Sequence, residues 1–404
     1  MKKILLIAGA LLSIFTANAQ ILTKEDSLAA GLLASSSATA ISGYGSVKYK
    51  YAEKTKQGEA NVDRVILFIG HKFSKKISFF SELEVEDAKV AGGEAGGEIA
   101  LEQAFLKFNI NNNHYITTGL FIPRIGIINE NHLPTTFNGN DRPFVERYII
   151  PSTWREIGIG LYGNITQIPG LNYSVTLMNG LNAAGFTSGD GIRGGRYEGR
   201  EANATAMAVS GALLYYLKNF RFQAAGYYGG SAGLTKKEAD SLQLSYGAFG
   251  TPVALTEFDG QYHNKGWSVK ALFTTIKIAD AKAINRAYAS NTPETMMAYY
   301  GEVGYNVLKL LKNTDKNLTV FGRYENLNMN YKLPDNGIFD GTLNQQYIVG
   351  GITFQPLKGV SVKADYVFKQ TGDQNPALVV SPFPSAQPYH KKQGFFSLGV
   401  GYSF

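Results

Sequence analysis

The pattern that organises this chain is the alternation of large apolar residues with small or polar ones, and it is clearest in the last stretch, GFFSLGVGYSF. Successive side chains of a strand point to opposite faces, so this stretch predicts a β-strand with one apolar face. That face must lie against a second sheet or against lipid. Against lipid the sheet must close on itself, because hydrocarbon offers no partners for an open edge. The apolar positions are Phe396, Leu398, Val400, Tyr402 and Phe404.

The same alternation recurs from residue 41 onward and predicts sixteen strands. Most of them are near the length of about 9–11 residues that a tilted membrane strand needs. The predicted strands are 41–51, 61–72, 77–86, 99–109, 114–122, 155–163, 171–180, 203–217, 220–230, 253–262, 267–279, 298–308, 317–328, 345–354, 360–371 and 393–404.

The lengths of the connections between these strands alternate along the chain. Connections after even-numbered strands are brief, whereas those after odd-numbered strands are longer and polar, and the longest is 123–154. A two-layer sandwich does not sort its connections in this way, but an outer-membrane barrel does, with short turns in the periplasm and long loops outside. We therefore predict an all-β fold, a transmembrane antiparallel β-barrel of 16 strands over residues 41–404.

The first residues predict export. A basic pair at positions 2–3 precedes an apolar run, Ile4 to Phe15, and the small-x-small sequence Ala17-Asn18-Ala19. This is the pattern of a cleaved secretory signal, so we predict a signal peptide at 1–19. Residues 20–40 are rich in Ser and Ala and are expected to form a periplasmic lead-in, with disorder as the open alternative.

The amino-acid composition limits the classes of function that the chain could have. The chain has no Cys, which argues against a disulfide scaffold, and its formal charge of +7 falls to +5 without Lys2 and Lys3. Lys and Glu alternate along the chain rather than clustering, so no nucleic-acid partner is expected. No metal, cofactor or catalytic signature is present, and His132 and His263 stand alone in the sequence. We therefore expect no enzyme activity, no cofactor and no metal.

Charged residues on the predicted strands must face inward, because Lys or Arg at mid-bilayer on the lipid side costs about 2–4 kcal/mol. An interior with so many charges is expected to hold water, and sixteen strands enclose a lumen wide enough for it. Strands 99–109, 203–217 and 345–354 have mixed faces and receive no assignment. The predicted inward cations are Lys48, Lys50, Arg64, Arg221, Lys270, Arg323, Lys363 and Lys369, against the anions Glu82, Glu84, Glu86, Glu156, Glu257, Asp259, Glu302, Glu325 and Asp365.

The long connection 123–154 is the candidate functional segment. It is unusually apolar for a loop, so we do not expect it to extend into solvent. One hypothesis is a constriction loop that folds into the lumen and sets opposite charges on two sides of a narrow opening. The alternative is a packed extracellular cap or a subunit contact. The candidate constriction residues are Arg124, Glu130, His132, Arg142, Glu146, Arg147 and Arg155.

A second basic group, Arg193, Arg196 and Arg200, lies in the Gly-rich sequence GDGIRGGRYEGRE. Guanidinium groups and exposed backbone N–H groups are suited to oxyanions. A solvated surface loop is the favoured interpretation of this segment.

The central segments LEQAFLKFNI (101–110), GLFIPRIGIINENHLPTTF (119–137) and RPFVERYIIPSTWREIGIGLYG (142–163) resemble the phosphate-selective porin O and P family, in its branch of generic outer-membrane porins. The resemblance implies a sixteen-stranded barrel, often trimeric, that passes anions or small solutes. Phosphate selectivity in that family rests on ladders of Arg and Lys, and the balanced wall charge departs from that pattern. The positions that carry over as constriction candidates are Arg124, Arg142, Arg147 and Arg155.

Together these observations predict a porin of the bacterial outer membrane, a passive diffusion channel for small hydrophilic solutes with weak anion preference, phosphate among the anions. The alternatives are a non-conducting barrel that acts as adhesin or structural anchor and, less favoured, a barrel enzyme acting on lipid or lipopolysaccharide. The expected partners are membrane lipid and lipopolysaccharide, small anions or polar solutes, the barrel-assembly machinery through the C-terminal Phe404, and further copies in a homotrimer.

Overall fold

Sixteen antiparallel strands close into one barrel, each hydrogen-bonded to the strands before and after it. The computed structural model describes residues 38–87, 98–311, 314–378 and 389–404. The predicted fold class is confirmed, and each strand lies within a few residues of its predicted position. The predicted signal peptide and nearly all of the lead-in lie outside the described residues.

The strands, numbered in chain order, are β1 Thr39–Ala52, β2 Gln57–Lys72, β3 Ile77–Glu86, β4 Glu98–Asn109, β5 His114–Phe121, β6 Glu156–Asn164, β7 Leu171–Asn179, β8 Met207–Leu217, β9 Phe220–Gly229, β10 Val253–Asn264, β11 Trp267–Ile278, β12 Thr295–Asn306, β13 Asn317–Lys332, β14 Asn344–Leu357, β15 Val360–Thr371 and β16 Lys392–Ser403. Three short helices lie in the connections: α1 Phe144–Tyr148, α2 Lys236–Leu242 and α3 Ala281–Tyr288.

The barrel is sealed by the pairing of β1 with β16, in register from Tyr44 opposite Ser403 to Ala52 opposite Phe395. This seam leaves no strand with an unpaired edge, which is the condition for a sheet surrounded by hydrocarbon. None of the helices in the described part of the chain is long and apolar enough to span a bilayer.

The outer surface of the barrel is apolar, as the alternation predicts. Ile348 and Ile352 on β14 are 56% and 44% exposed, while Tyr347 and Val349 at the alternate positions are buried. Aromatic pairs lie near the short turns, where Trp267 packs against Tyr305 with ring centroids 4.7 Å apart. An apolar band bordered by aromatic rings suits a lipid-facing surface.

The first connection departs from the predicted alternation of short turns and long loops. Ala52 pairs with Gln57, so β1 and β2 are joined by only the four residues 53–56. Lys56 adopts the left-handed conformation (φ 53°), which lets the chain reverse so tightly. The prediction of a long loop after β1 was therefore wrong. We call the end of the barrel with the brief even-numbered connections the turn end, and the opposite end the loop end.

The long connection between β5 and β6 lies inside the barrel. Its apolar side chains, among them Ile125, Ile150 and Trp154, are fully buried. They pack on inward-facing apolar residues of β9 to β15, such as Tyr227 and Leu272. The lumen is therefore a packed core on that side and not an aqueous channel along its whole wall. This packing also explains the mixed faces of 345–354, because the inward residues Tyr347 and Val349 pack against the apolar segment and are themselves apolar.

We predict that charge is tolerated on the outer face only near the ends of the strands. Ile352→Arg, near the middle of β14, should lower the free energy of unfolding in lipid by about 2–4 kcal/mol, because the guanidinium lies in hydrocarbon. The matched control is Tyr331→Arg, at the loop end of β13, which should change stability little. Equal effects of the two substitutions would contradict the lipid-facing assignment of this surface.

Candidate functional site

The segment 122–155 is held in place first by its own carboxylate at Glu146. One oxygen of this buried side chain accepts the backbone N–H of Ile128 at 2.6 Å, and the other accepts the hydroxyl of Tyr300 on β12 at 2.6 Å. Glu146 thus ties two parts of the segment to each other and to the wall. Burial raises the pKa of Glu146, while these two hydrogen bonds favour its charged form.

Residues 137–140 of the segment bind to β15, across the lumen from the end of β5, where the segment begins. The Lys363 ammonium donates to the carbonyls of Phe137 and Gly139, both at 2.8 Å. The Asp365 carboxylate accepts the backbone N–H of Asn140 at 2.7 Å and the side-chain amide of the same residue at 2.6 Å. These contacts join wall charges directly to the backbone of the segment.

A buried ion network fixes α1 against β12 and β13. The Arg323 guanidinium donates to Glu325 at 2.8 Å and to Glu302 at 3.1 Å. Glu325 in turn accepts the N–H of Val145, in the first turn of α1, at 2.9 Å. All three charged side chains are almost completely buried. Charges this deep persist only when they are paired.

A second network binds the start of the segment to β9 and β10. Glu130 forms ion pairs with Arg124, at 3.1 Å, and with Arg221, which also donates to Asp259 at 2.9 Å. Burial opposes ionisation of Glu130, but attraction to Arg221 and Arg124 outweighs it and lowers the pKa. The predicted lumen residues Arg221, Arg323 and Lys363 are thus anchors for the segment.

A cavity of about 730 Å³ remains beside the segment, on the side of β1 to β4. We call it the vestibule, and it is lined at the loop end by predicted residues and by residues of the loop after β7. Its cationic lining residues are Lys48, Lys50, Arg64, Arg142, Arg147, Arg155, Arg193 and Arg196. Its anionic lining residues are Glu59, Asp63, Glu84, Glu86, Asp87, Asp141 and Glu198.

Charge is divided across the vestibule even though its total is nearly balanced. The side formed by the two loops and the start of β6 carries five arginines against two carboxylates, Asp141 and Glu198. The side formed by β1 to β3 and Asp87 carries five carboxylates against three cations. Asp141 of the segment forms ion pairs with Lys48 at 2.8 Å and with Lys50 at 3.4 Å, so the two groups of charges meet directly there.

The loop after β7 is part of this site, which the sequence did not indicate. Arg193 donates to the carbonyl of Arg147 at 3.1 Å, and Arg196 to that of Thr153 at 3.4 Å. Ile192 is completely buried beneath them. The expectation of a solvated loop was therefore wrong for Arg193 and Arg196, while Arg200 is exposed and does not line the vestibule.

The guanidinium groups of the vestibule are crowded and poorly hydrated. Burial and the neighbouring Arg64 lower the pKa of Arg142 to about 10, although Glu102 opposes the shift. Burial likewise lowers the pKa of Arg196 to about 10, against the attraction of Glu198. Both stay charged near neutral pH, but an anion beside them would recover part of the lost solvation.

His132 forms the floor of the vestibule. It also lines a second cavity of about 130 Å³ toward the turn end, together with Arg124 and Lys107. Its Nε2 lies 3.6 Å from carboxylate oxygens of both Glu82 and Glu102. Burial alone would lower the pKa of His132, but the two carboxylates outweigh burial and raise it to about 9.

The alternation of residues did not identify Glu102 as an inward-facing residue, because β4 contains a β-bulge. Glu82 pairs with Gln103 and Leu83 pairs with Leu101, so Glu102 has no partner across the strand. The extra residue turns both Glu102 and Gln103 away from lipid, which breaks the period of two. Two adjacent polar residues inside an alternating strand were the available signal.

The remaining candidates lie apart from the vestibule. Lys270 lines a small cavity of about 60 Å³ toward the turn end, which it shares with Glu130 and His263. Lys369 lies over the ring of Tyr347, 5.6 Å from its centroid. The structure thus gathers some of the predicted residues at one cavity and disperses the others; those gathered are Lys48, Lys50, Arg64, His132, Arg142, Arg147 and Arg155.

Comparison with known proteins gives one relative by sequence. A protein of Aquifex aeolicus (strain VF5), described only as uncharacterized, is 31% identical over 346 residues, which cover 83% of this chain and 76% of that protein. No model of a known protein family matches the chain.

Solved structures with this fold are outer-membrane barrels. Salmonella typhi OmpF, in complex with daunomycin, has a TM-score of 0.55 at 13% identity, over 91% of this chain and 97% of that one. An anion-selective porin from Comamonas acidovorans has a TM-score of 0.50 at 10% identity, over 91% and 99%. The trimer form of Vibrio cholerae OmpT has a TM-score of 0.50 at 11% identity, over 91% and 99%. At these identities the likeness establishes the porin-type barrel fold.

We predict that the anchoring networks contribute strongly to stability. Arg323→Met should lower the free energy of unfolding by about 3–5 kcal/mol, because it leaves Glu302 and Glu325 buried without a counter-charge. The control is Lys282→Met, which breaks the exposed ion pair with Asp335 and should have little effect. A small effect of Arg323→Met would show that water reaches this network.

Proposed function

Since this chain belongs to the same protein family as the Aquifex aeolicus protein and folds as a porin-type barrel, we propose that it is a passive diffusion channel for small hydrophilic solutes in a bacterial outer membrane. The turn end then lies in the periplasm and the loop end outside the cell. The observation that carries the proposal is the vestibule, a charged cavity at the loop end of a barrel whose outer surface is apolar.

We further infer a weak preference for anions. Five arginines converge on one side of the vestibule, and those at 142 and 196 are poorly solvated. Planar guanidinium groups match carboxylate and phosphate oxygens in two-point hydrogen bonds. The resemblance to the phosphate-selective porin O and P family makes phosphate one of these anions. The facing carboxylates on β2 and β3 limit the preference, because they repel the same solutes.

The segment 122–155 is proposed to be the constriction. It fills the side of the lumen next to β9–β15, so solutes pass along β1–β4. The narrowest layer on this path is the one around His132, which borders both cavities. A solute must cross this layer largely stripped of water, so small solutes are favoured over large ones.

The same layer supports the second candidate, a barrel that does not conduct and serves as an adhesin or anchor. His132 and its two carboxylates separate the vestibule from the cavity below, which is what a plugged lumen requires. An enzyme is not proposed, because the vestibule is lined mainly by charged side chains in ion pairs, which suits the passage of polar solutes.

The partners follow from the location. The outward apolar surface would contact lipid and lipopolysaccharide, and β16 with Phe404 would be the segment that the barrel-assembly machinery recognises. The likeness to OmpT, whose structure is described as a trimer form, supports a homotrimer.

We predict that the refolded protein conducts ions in planar lipid bilayers, in discrete steps smaller than those of an unobstructed sixteen-stranded pore. The reason is the space taken by the segment 122–155. An absence of conductance from folded protein, checked by its far-ultraviolet circular dichroism, would favour the anchor.

The arginines of the vestibule should set the sign of the selectivity. In a KCl gradient the reversal potential should indicate a preference for chloride, and the double variant Arg147→Gln, Arg193→Gln should reduce the chloride-to-potassium permeability ratio by about twofold or more. Arg200→Gln removes an arginine of the same loop outside the vestibule and serves as the control. An unchanged ratio in the double variant would refute the anion preference.

A further inference from the structure

Three metal-ligand side chains from distant parts of the chain converge in the floor of the vestibule. They are Glu82 on β3, Glu102 at the bulge of β4 and His132 on the inserted segment. One ligand atom from each lies within 4.8 Å of the others. All three side chains are buried, with 5%, 0% and 7% of their surface exposed.

The histidine in this cluster is unsatisfied. Neither ring nitrogen of His132 has a hydrogen-bond partner, and neither does the second carboxylate oxygen of Glu102. The Nε2 of His132 points between the two carboxylates and is 3.6 Å from an oxygen of each. Buried polar atoms are nearly always paired, so two unpaired ring nitrogens and an unpaired carboxylate oxygen within one cluster point to a further ligand.

The spacing fits a metal ion better than a direct hydrogen bond. Ligand atoms bound to zinc at about 2.0–2.2 Å in tetrahedral geometry lie about 3.3–3.6 Å from one another. Both nitrogen–oxygen distances in the cluster are 3.6 Å, which is longer than a normal hydrogen bond.

We propose that Glu82, Glu102 and His132 bind a first-row divalent transition-metal ion, with zinc the best match. Carboxylate oxygen and imidazole nitrogen are both zinc ligands, and a site with three protein ligands leaves a fourth position for water or solute. Glu82 and His132 both line the smaller cavity, through which a fourth ligand would reach the ion.

Neighbouring side chains hold the two carboxylates of the cluster in position by hydrogen bonds. The hydroxyl of Tyr44 donates to Glu102 at 3.1 Å, and the side-chain amide of Gln103 donates to Glu82 at 3.0 Å. Both hydrogen bonds orient a carboxylate toward the histidine. Arg64 is a nearby cation, but it is 3.3 Å from Glu84, which offsets its charge. The two ligating carboxylates then neutralise a divalent ion, while Arg142 weakens its binding.

A metal ion in this place would lie on the path between the two cavities. Metal occupancy should therefore narrow the passage and lower conductance, a consequence that rests on the proposed channel function. The binding site itself does not depend on conduction, so binding and conductance are measured separately.

The first experiment measures zinc bound to the refolded protein in detergent by equilibrium dialysis against zinc chloride. We expect one zinc ion per chain, and at least tenfold weaker binding in His132→Gln and in Glu102→Gln. The matched control is His263→Gln, which removes another lumen histidine outside the cluster and should leave zinc binding unchanged. Equal zinc binding by wild type and His132→Gln would overturn the proposal, as would loss of binding in His263→Gln alone.

A second variant separates ligation from folding. His132→Cys replaces one zinc ligand by another, so it should bind zinc at least tenfold more tightly than His132→Gln. Equal affinities of these two variants would overturn direct ligation by residue 132. In bilayers, zinc chloride should reduce the conductance of wild type reversibly, with recovery on adding EDTA. If zinc binds stoichiometrically while no current is ever seen, the metal site stands and the channel function fails.

Discussion

Every charge that the barrel wall turns inward must meet either water or an opposite charge, and this constraint shapes the lumen. On the side of β9 to β15 the inserted segment covers most of the wall, and charged residues buried there are paired with opposite charges or with hydrogen-bonding groups. Arg323 lies between two carboxylates, and Lys363 is held by backbone carbonyls. On the side of β1 to β3 the segment covers the wall at Leu133, which packs on Tyr44 and Ile66, and the charges nearer the loop end line a cavity. Inward-facing charges are therefore stabilised by protein partners in the packed core and by water in the cavity.

The strands and their faces were predictable because lipid imposes a simple rule. Each outward position must be apolar, so a period of two survives in the sequence even where the inward residues vary. Val362 and Tyr366 on β15, for example, face outward as their spacing indicates. The position of the long connection was also predictable, since a loop rich in Ile and Phe needs a surface to cover.

What the sequence did not reveal depends on contacts between distant segments. Glu102 joins His132 only because a bulge adds one residue to β4, and the bulge itself shows as a break in the pattern. Arg193 and Arg196 lie in a sequence that reads as an ordinary surface loop. Their placement follows from the burial of Ile192 and Phe186, two apolar residues among many glycines. Such contacts are seen only in the three-dimensional structure, because the alternation of apolar and polar residues carries no information about which loops meet.

The seam between β1 and β16 has a consequence for assembly. It joins Tyr44 to Ser403, so the last contact to form links segments that nearly the whole chain separates. The entropic cost of closing such a loop grows only with the logarithm of its length, so loop length by itself adds little to the cost of forming the seam. Until the seam forms, a growing sheet has two bare edges that lipid cannot satisfy. Closing the seam between β1 and β16 removes both of these edges at once, so the last pairing satisfies the backbone of two strands together.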